Sequence, residues 1–141
     1  MHGAGCTLSS FIACGLALGL TTEEAVREGK RRSYDSIAMS LPIGQGMHCI
    51  NPMATLYKQA MRSTVRAEVE AAVTVLEERL PPELVPEVGL NLAYSLPYPQ
   101  GYDEVCGVQG RLVRAGDRVR RAGEVRFGGS RHIARVVMSA L

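Results

Sequence analysis

The segment FGGSRHIAR, residues 127–135, combines three features that favour phosphate binding. Its two glycines follow a predicted strand, and its serine is a good N-cap for the apolar helix that comes next. Backbone N–H groups at such a helix start point towards a bound anion. Arginine binds phosphate oxygens through parallel hydrogen bonds, and histidine can donate a proton near neutral pH. We therefore predict an anion site here, formed by Gly128, Gly129, Ser130, Arg131, His132 and Arg135.

Charge is unevenly distributed along the chain. Residues 111–135 contain eight arginines against two acidic residues, whereas residues 1–110 contain eight basic and twelve acidic residues. The two parts therefore carry net charges of +6 and −4. Arg111 lies in the basic part, on a predicted strand and on the face opposite its apolar residues. The pattern indicates an anionic ligand at this end, and the alternative is a solvated, arginine-rich hairpin that binds nothing.

A second glycine turn, HGAGC, occupies residues 2–6 and precedes another apolar helix. The backbone N–H groups of Gly3, Gly5 and Cys6 are predicted to converge at the start of that helix, which again favours an anion. A cysteine at a helix start is a candidate base or nucleophile. The remaining cysteines show neither a C-x-x-C pair nor metal-site spacing, so we interpret them as reduced small hydrophobic residues. They are Cys14, Cys49 and Cys106.

The elements that position these residues are predicted from periodicity and capping residues. Apolar spacing predicts four helices, and alternation predicts strands between the third and the fourth. Thr21 and Glu24 form a capping box, and Asn51-Pro52 is a typical helix start. The predicted helices cover residues 7–18, 21–41, 51–80 and 131–140, and the predicted strands cover 88–94, 105–114 and 119–127. This order of elements predicts an α/β fold.

Composition argues against several classes of protein. Hydrophobic residues make up 46% of the chain and charged residues 21%, which is typical of a folded globular protein rather than a disordered one. No apolar run approaches the roughly 20 residues needed to span a membrane, and no signal peptide is recognised. We therefore expect a cytoplasmic protein with no membrane partner. Phe127 is the one Phe, Trp or Tyr among residues 111–135, so aromatic residues do not alternate with the arginines, which argues against a nucleic-acid partner.

The motif HGAGCTLSS, followed by a helix with TTEEAVREGK, resembles the C-terminal part of hydroxymethylpyrimidine phosphate kinases of the ribokinase superfamily. The resemblance covers residues 2–40 and implies that Gly3, Gly5 and Cys6 correspond to the kinase anion hole. Cys6 stands where relatives carry the catalytic aspartate. Because the family's substrate pocket precedes this motif, we expect the anion hole to be vestigial and this chain alone to have no kinase activity.

Residues 43–141 resemble the thiamine-phosphate synthase domain that follows this kinase in archaea and some bacteria. The motifs are VPEVGLNLAYSLPYP, DEVCGVQGRLVR and FGGSRHIARVV. The resemblance implies a three-layer α/β/α domain on a mixed, mostly antiparallel sheet. It implies that hydroxymethylpyrimidine diphosphate and thiazole phosphate are joined to thiamine phosphate, with release of pyrophosphate. Arg111 and His132 are the implied catalytic positions, and we expect their side chains to approach each other beside residues 128–130.

The resemblance carries further expectations. Mg²⁺ is implied by the diphosphate substrate, with no residue identified as a metal ligand. The chain is divided into a kinase remnant (1–41), a linker (42–51) and a truncated synthase-like domain (52–141), because the family continues past this point. An open sheet edge predicts a homo-oligomer. Some relatives that lack the arginine and histidine sense thiamine phosphate, so a non-catalytic thiamine-phosphate-binding module is the alternative to the enzyme. A third possibility is an interaction fragment without a ligand.

Overall fold

The computed structural model describes residues 2–140, and within this range it contains four α-helices, five short strands and two 3-10 turns. The chain forms two compact units, Met1–Gln59 and Ala60–Leu141, whose boundary falls inside the third helix. The predicted domain division after residue 51 stays a prediction. The helices are α1 (Ala4–Ala17), α2 (Thr22–Ala38), α3 (Ala54–Arg79) and α4 (Arg131–Ser139). The strands are β1 (Ala93–Ser95), β2 (Val105–Val108), β3 (Leu112–Ala115), β4 (Arg118–Arg121) and β5 (Val125–Phe127).

In the first unit α1 and α2 form a hairpin that depends on a close backbone approach. A Cβ atom added at Gly29 of α2 would lie 2.8 Å from the Ile12 side chain of α1, so only glycine fits there without a shift. Thr21 caps α2: its hydroxyl accepts the Glu24 N–H, and the Glu24 carboxylate accepts the Thr21 N–H, so the predicted capping box is confirmed. The α1–α2 hairpin is therefore specified locally, by caps and small residues.

A buried ion pair ties the start of α3 to α2. The Lys58 ammonium lies 2.7 Å from a carboxylate oxygen of Asp35, and both side chains are almost completely buried. The Thr55 hydroxyl is 3.4 Å from the other carboxylate oxygen. Two buried charges are stable only when they are paired and hydrogen bonded, and each of these residues satisfies the other. The pair therefore fixes where α3 starts relative to α2 within this unit.

The helix limits differ from the sequence predictions at several ends. The first helix starts at Ala4 rather than Thr7, so Ala4, Gly5 and Cys6 form the first turn of α1 instead of a loop before it. The second ends at Ala38, before the predicted 41. The third starts at Ala54 because the Asn51 side chain caps a turn first, accepting the Met53 N–H at 3.1 Å. Helix ends commonly differ by such margins because capping, rather than periodicity, sets them.

The second unit is built on one long antiparallel hairpin that runs from β2 to β5. Its turn joins β3 to β4. The two arms stay hydrogen bonded between β2 and β3, where Ala122 N–H donates to the Arg111 carbonyl at 2.8 Å. The predicted single strand 105–114 was therefore wrong in detail, because residues 109–111 interrupt it between β2 and β3. The predicted strand 88–94 is reduced to β1, with Leu90 pairing alone to Leu112. β1 pairs antiparallel with β2 on the side away from β5.

The core of this unit lies between α3 and the hairpin. Three valines four residues apart on α3 share a buried cluster with alternate residues of β2 to β5. Burial of these aliphatic side chains stabilises the unit because each contributes about 1.5–3 kcal/mol relative to exposure. The central members of the cluster are Val65, Val69, Val73, Cys106, Val108, Leu112, Val119 and Val125. The predicted α/β class with antiparallel sheets is confirmed.

Candidate phosphate-binding site

The register of the strands brings three chain segments to one end of the three-stranded sheet. Ser95 ends β1 opposite Val105, which begins β2. Phe127 ends β5 opposite Cys106. The loop 96–104 and the turn 128–130 therefore leave the sheet at the same end. We call this end, with these two segments and the first turn of α4, the tyrosine–arginine end.

The turn into α4 is held by backbone groups. Gly128 has a left-handed φ of 69° and donates its N–H to the Val105 carbonyl at 3.0 Å. A Cβ atom at Gly129 would lie 3.2 Å from the Gly107 carbonyl oxygen, so the chain passes tightly over β2. Ser130 is the N-cap of α4, and its hydroxyl accepts the Ile133 N–H at 3.4 Å. The predicted geometry of a glycine turn feeding a serine-capped helix is therefore present.

The basic residues of α4 carry their charge at the surface. Arg131, His132 and Arg135 are exposed, and none of them forms an ion pair within residues 2–140. The Arg131 guanidinium carbon lies 4.9 Å from the centre of the Tyr102 ring, which restrains that side chain over the turn. Positive side chains without an anionic partner at a helix N-terminus are suited to bind a phosphate group.

Tyr102 is a site residue that sequence reasoning missed. It lies in a 3-10 turn, Tyr102–Glu104, that ends the loop between β1 and β2. A Cβ atom at Gly128 would lie 3.5 Å from its ring, so the ring forms a wall of the turn. The signal in the sequence was the spacing of three tyrosines four residues apart, Tyr94, Tyr98 and Tyr102, between two predicted strands.

The loop 96–104 is fixed by a buried acidic residue. Glu104 is only 7% exposed, and its carboxylate accepts the Gln100 N–H at 2.9 Å. Its backbone carbonyl accepts the Leu96 N–H at 2.9 Å, which closes the loop. A buried carboxylate is costly unless it is hydrogen bonded, so this loop is held in a defined shape rather than left mobile.

Arg111 lies elsewhere along the hairpin. It is level with Ala122, and its guanidinium donates to the Val88 carbonyl. The turn at Gly128 is level with Val105, six residues earlier in the chain, which is at most roughly 20 Å if the chain is fully extended. Within the described residues no contact joins Arg111 to His132. The expectation that these two side chains approach each other therefore stays a prediction.

The HGAGC segment leads into the first helix of the first unit. Gly3 is the N-cap of α1, and Gly5 and Cys6 lie in the first turn of the helix, with Cys6 exposed. Their role as a vestigial anion hole stays a prediction. All four cysteines are free, and burial raises the pKa of the Cys106 thiol, so that thiol is unreactive at neutral pH.

Comparison with known proteins identifies both parts of the chain. Residues 68–141, just over half of the chain, match the family model of thiamine-phosphate synthase ThiN. The chain belongs to this family. Residues 1–51 match the model of phosphomethylpyrimidine kinase. Both resemblances seen in the sequence are therefore confirmed, and the tyrosine–arginine end lies within the ThiN domain.

Individual relatives agree with this assignment. The chain is 31% identical to the bifunctional thiamine biosynthesis protein ThiDN of Methanocaldococcus jannaschii, over 99% of this chain and 32% of that protein. A hydroxymethylpyrimidine/phosphomethylpyrimidine kinase of Streptomyces coelicolor is 46% identical over 33% of this chain and 17% of the kinase. The chain thus spans about a third or less of these relatives. The crystal structure of a C-terminal domain of phosphomethylpyrimidine kinase is 42% identical, with a TM-score of 0.51, over 55% of this chain and 43% of that one.

The helices and the potential metal-ligating side chains bear on the membrane and metal expectations. Among residues 2–140 no helix is both long and apolar enough to cross a bilayer. The same residues contain no cluster of three or more His, Cys, Asp or Glu side chains placed to hold a metal ion.

Proposed function

We propose that the chain acts in thiamine biosynthesis and that its ThiN domain joins hydroxymethylpyrimidine diphosphate to thiazole phosphate. The observation that carries the proposal is the tyrosine–arginine end. There the ThiN segment presents a serine-capped helix start with Arg131, His132 and Arg135 exposed and, among residues 2–140, without an acidic partner. Such an arrangement suits a ligand that carries several negative charges.

The residues have distinct roles in the proposed reaction. The thiazole nitrogen bonds to the methylene carbon of the pyrimidine while the bond from that carbon to the diphosphate oxygen breaks. Negative charge therefore accumulates on the departing pyrophosphate. Arg131 and Arg135 would bind its oxygens, together with N–H groups at Gly129 and Ser130. His132, on the same helix turn, would donate a hydrogen bond or a proton to the leaving group.

Mg²⁺ fits this end only as an ion carried by the diphosphate. Mg²⁺ is usually held by one or two carboxylates, by substrate phosphates and by water. Asp103 lies beside the turn, with its Cα 3.8 Å from the position of a Cβ atom at Gly128, and would supply such a carboxylate. When bound, the ion would neutralise charge on the leaving pyrophosphate.

Arg111 is the second arginine that the family resemblance implies. Its guanidinium is bound to the Val88 carbonyl, so it would need to leave that contact to bind a substrate phosphate at the tyrosine–arginine end. For the first unit, the assignment of Gly3, Gly5 and Cys6 to a vestigial anion hole stays a prediction.

Turnover by single variants tests the proposal. Mixing hydroxymethylpyrimidine diphosphate, thiazole phosphate and Mg²⁺ with the protein should yield thiamine phosphate and pyrophosphate, measured by chromatography. His132→Ala should lower turnover by about 100-fold or more, since general acid catalysis contributes about 10²–10⁴. Its affinity for pyrophosphate should fall by less than tenfold. Arg114→Ala, an exposed arginine on β3, is the matched control and should behave as wild type. Equal turnover by His132→Ala and wild type would contradict the proposed role.

The distance of Arg111 from the turn favours a second candidate, a non-catalytic thiamine-phosphate-binding module. A binding module needs the anion site but no second catalytic group. Wild-type protein that binds thiamine phosphate and forms none of it from the two precursors would favour this candidate. Arg111→Ala separates the two further. In the enzyme it should weaken both binding and turnover, by the equivalent of about 1.5–3 kcal/mol for a charged hydrogen bond. In the binding module it should leave affinity unchanged.

A further inference from the structure

A small cavity lies at the tyrosine–arginine end, on the loop that closes between β1 and β2. Its volume is about 240 Å³. Pockets for drug-sized ligands usually measure 300–1,000 Å³, so this one has room for a single substituted ring. Its walls are formed by Met61, Tyr94, Ser95, Leu96, Pro97 and Tyr98. We call it the tyrosine cavity.

The walls of the tyrosine cavity expose more apolar surface than a packed core does. Tyr94 is 58% exposed, Tyr98 54% and Met61 38%, although each borders a concave site. Aromatic rings and a methionine thioether are the side chains that best contact the flat face of another ring. Their grouping around one opening points to an aromatic ligand rather than to internal packing.

The backbone conformation of Tyr98 also indicates a ligand site. Its φ of 47° is left-handed, and it is the one residue other than glycine with a positive φ among residues 2–140. Prolines 97 and 99 flank it, and Glu104 anchors the loop from inside. A bulky residue held in a sparsely populated conformation tends to mark a ligand site, because the rest of the structure must enforce it.

The same loop connects the tyrosine cavity to the anion site. Tyr98 borders the cavity, and four residues later Tyr102 lies under Gly128 and against the Arg131 guanidinium. A ligand with a ring at one end and a phosphate at the other would therefore contact one continuous segment of chain. Ring and phosphate sites that share a rigid loop hold such a ligand in a fixed orientation.

We propose that the tyrosine cavity binds the flat aromatic ring of a heterocyclic phosphate ester, with Tyr94 and Tyr98 as its ring contacts and the turn at 128–131 as its phosphate contact. The proposal rests on the proposed function for the phosphate half and adds the ring half. It makes Tyr98 a residue that determines specificity, since phosphate alone would not need it.

Binding of the ring without phosphate tests the proposal directly. The probe is 4-amino-5-hydroxymethyl-2-methylpyrimidine, which carries no charge for the arginines to bind. The chain contains no tryptophan, so emission from its five tyrosines reports the titration. Wild-type protein should bind the probe at millimolar concentration. Tyr98→Gly, which keeps the left-handed backbone, and Tyr94→Leu should each weaken binding at least tenfold. Tyr34→Leu, at a half-exposed tyrosine of α2, is the matched control and should have no effect.

Inorganic pyrophosphate separates this proposal from the proposed function. The tyrosine variants should bind pyrophosphate within threefold of wild type, which also shows that they are folded. No binding of the pyrimidine probe by wild type, or equal binding by Tyr98→Gly and Tyr94→Leu, would overturn the ring site even if thiamine phosphate is formed. Conversely, probe binding that depends on both tyrosines would uphold the ring site even if the protein catalyses no condensation.

Discussion

Tyr98 holds a left-handed backbone conformation that costs an L-residue about 1–2 kcal/mol. Tyr94, four residues earlier, borders the same cavity from an ordinary strand. The two side chains are exposed to nearly the same degree, 54% and 58%. They therefore form a pair with similar exposure and different backbone conformations.

Replacing each tyrosine with glycine should separate strain from contact. At Tyr98 glycine relieves the left-handed strain, which offsets its larger loss of backbone entropy on folding. At Tyr94 glycine weakens a strand and gains nothing in return. We expect Tyr94→Gly to lower the free energy of unfolding by about 1 kcal/mol more than Tyr98→Gly, measured by urea denaturation. An equal loss in both variants would show that Tyr98 is not strained.

Residues of the anion turn were predicted more completely than residues of the ring site. Glycine favours turns and serine favours helix N-caps, so the sequence alone predicts the turn and the cap at Gly128, Gly129 and Ser130. Tyr98 and Tyr102 contribute through the closure of loop 96–104 onto Glu104, which no local pattern reveals. A positive φ at a tyrosine is likewise set by tertiary contacts and contradicts local preference.

At the scale of elements, α2 carries a cluster of charges whose titration affects the first unit. The Glu28 carboxylate accepts hydrogen bonds from Arg31, on the next turn, and from Arg32. These contacts, Arg31 first, lower the pKa of Glu28 to about 2. A carboxyl group whose pKa is lower in the folded than in the unfolded state stabilises the fold above the unfolded pKa. That stabilisation is lost as the pH falls from about 4.5 to about 2.

Glu28→Gln should therefore destabilise the protein at pH 6 and have almost no effect at pH 2. Because the carboxylate is one-third exposed, we expect a difference of only about 1 kcal/mol at pH 6. The melting of helical circular dichroism across this pH range measures it. Glu23→Gln is the control, since that carboxylate pairs with Arg27 at a site that is 81% exposed. A loss at pH 2 equal to that at pH 6 would refute the titration argument.

The helices were predicted better than the strands, for a physical reason. Helix contacts are local, so apolar spacing and the Thr21 capping box define α1 and α2 without tertiary information. Strand pairing depends on a distant partner. The sequence 105–114 reads as one strand, and only its pairing with β4 and β5 shows the break at residues 109–111. Arg111 lies in this break. Its position relative to the turn at Gly128 therefore could not be predicted from the sequence.

At the scale of the whole molecule, the chain consists of two compact units, and the tyrosine–arginine end belongs to the second of them. A ligand that binds only the folded state stabilises it by RT ln(1 + [L]/Kd), or about 2.7 kcal/mol at a hundredfold excess over Kd. Where units open separately, this stabilisation stays within the unit that binds. Ligand binding should therefore change the two units differently.

Hydrogen exchange in the presence of pyrophosphate should show this difference. We expect slower amide exchange in residues 96–106 and 126–134, because their N–H groups close the loop and the turn of the proposed anion site. Amides of α1 and α2 should exchange as they do without ligand, since both helices belong to the other compact unit. Mass spectrometry of peptides from the labelled protein measures both regions in one experiment. Arg131→Ala with Arg135→Ala removes the phosphate contacts and should abolish the protection, whereas Arg114→Ala should retain it. Protection that spreads equally over both units, or survives the double substitution, would place the anion elsewhere on the chain.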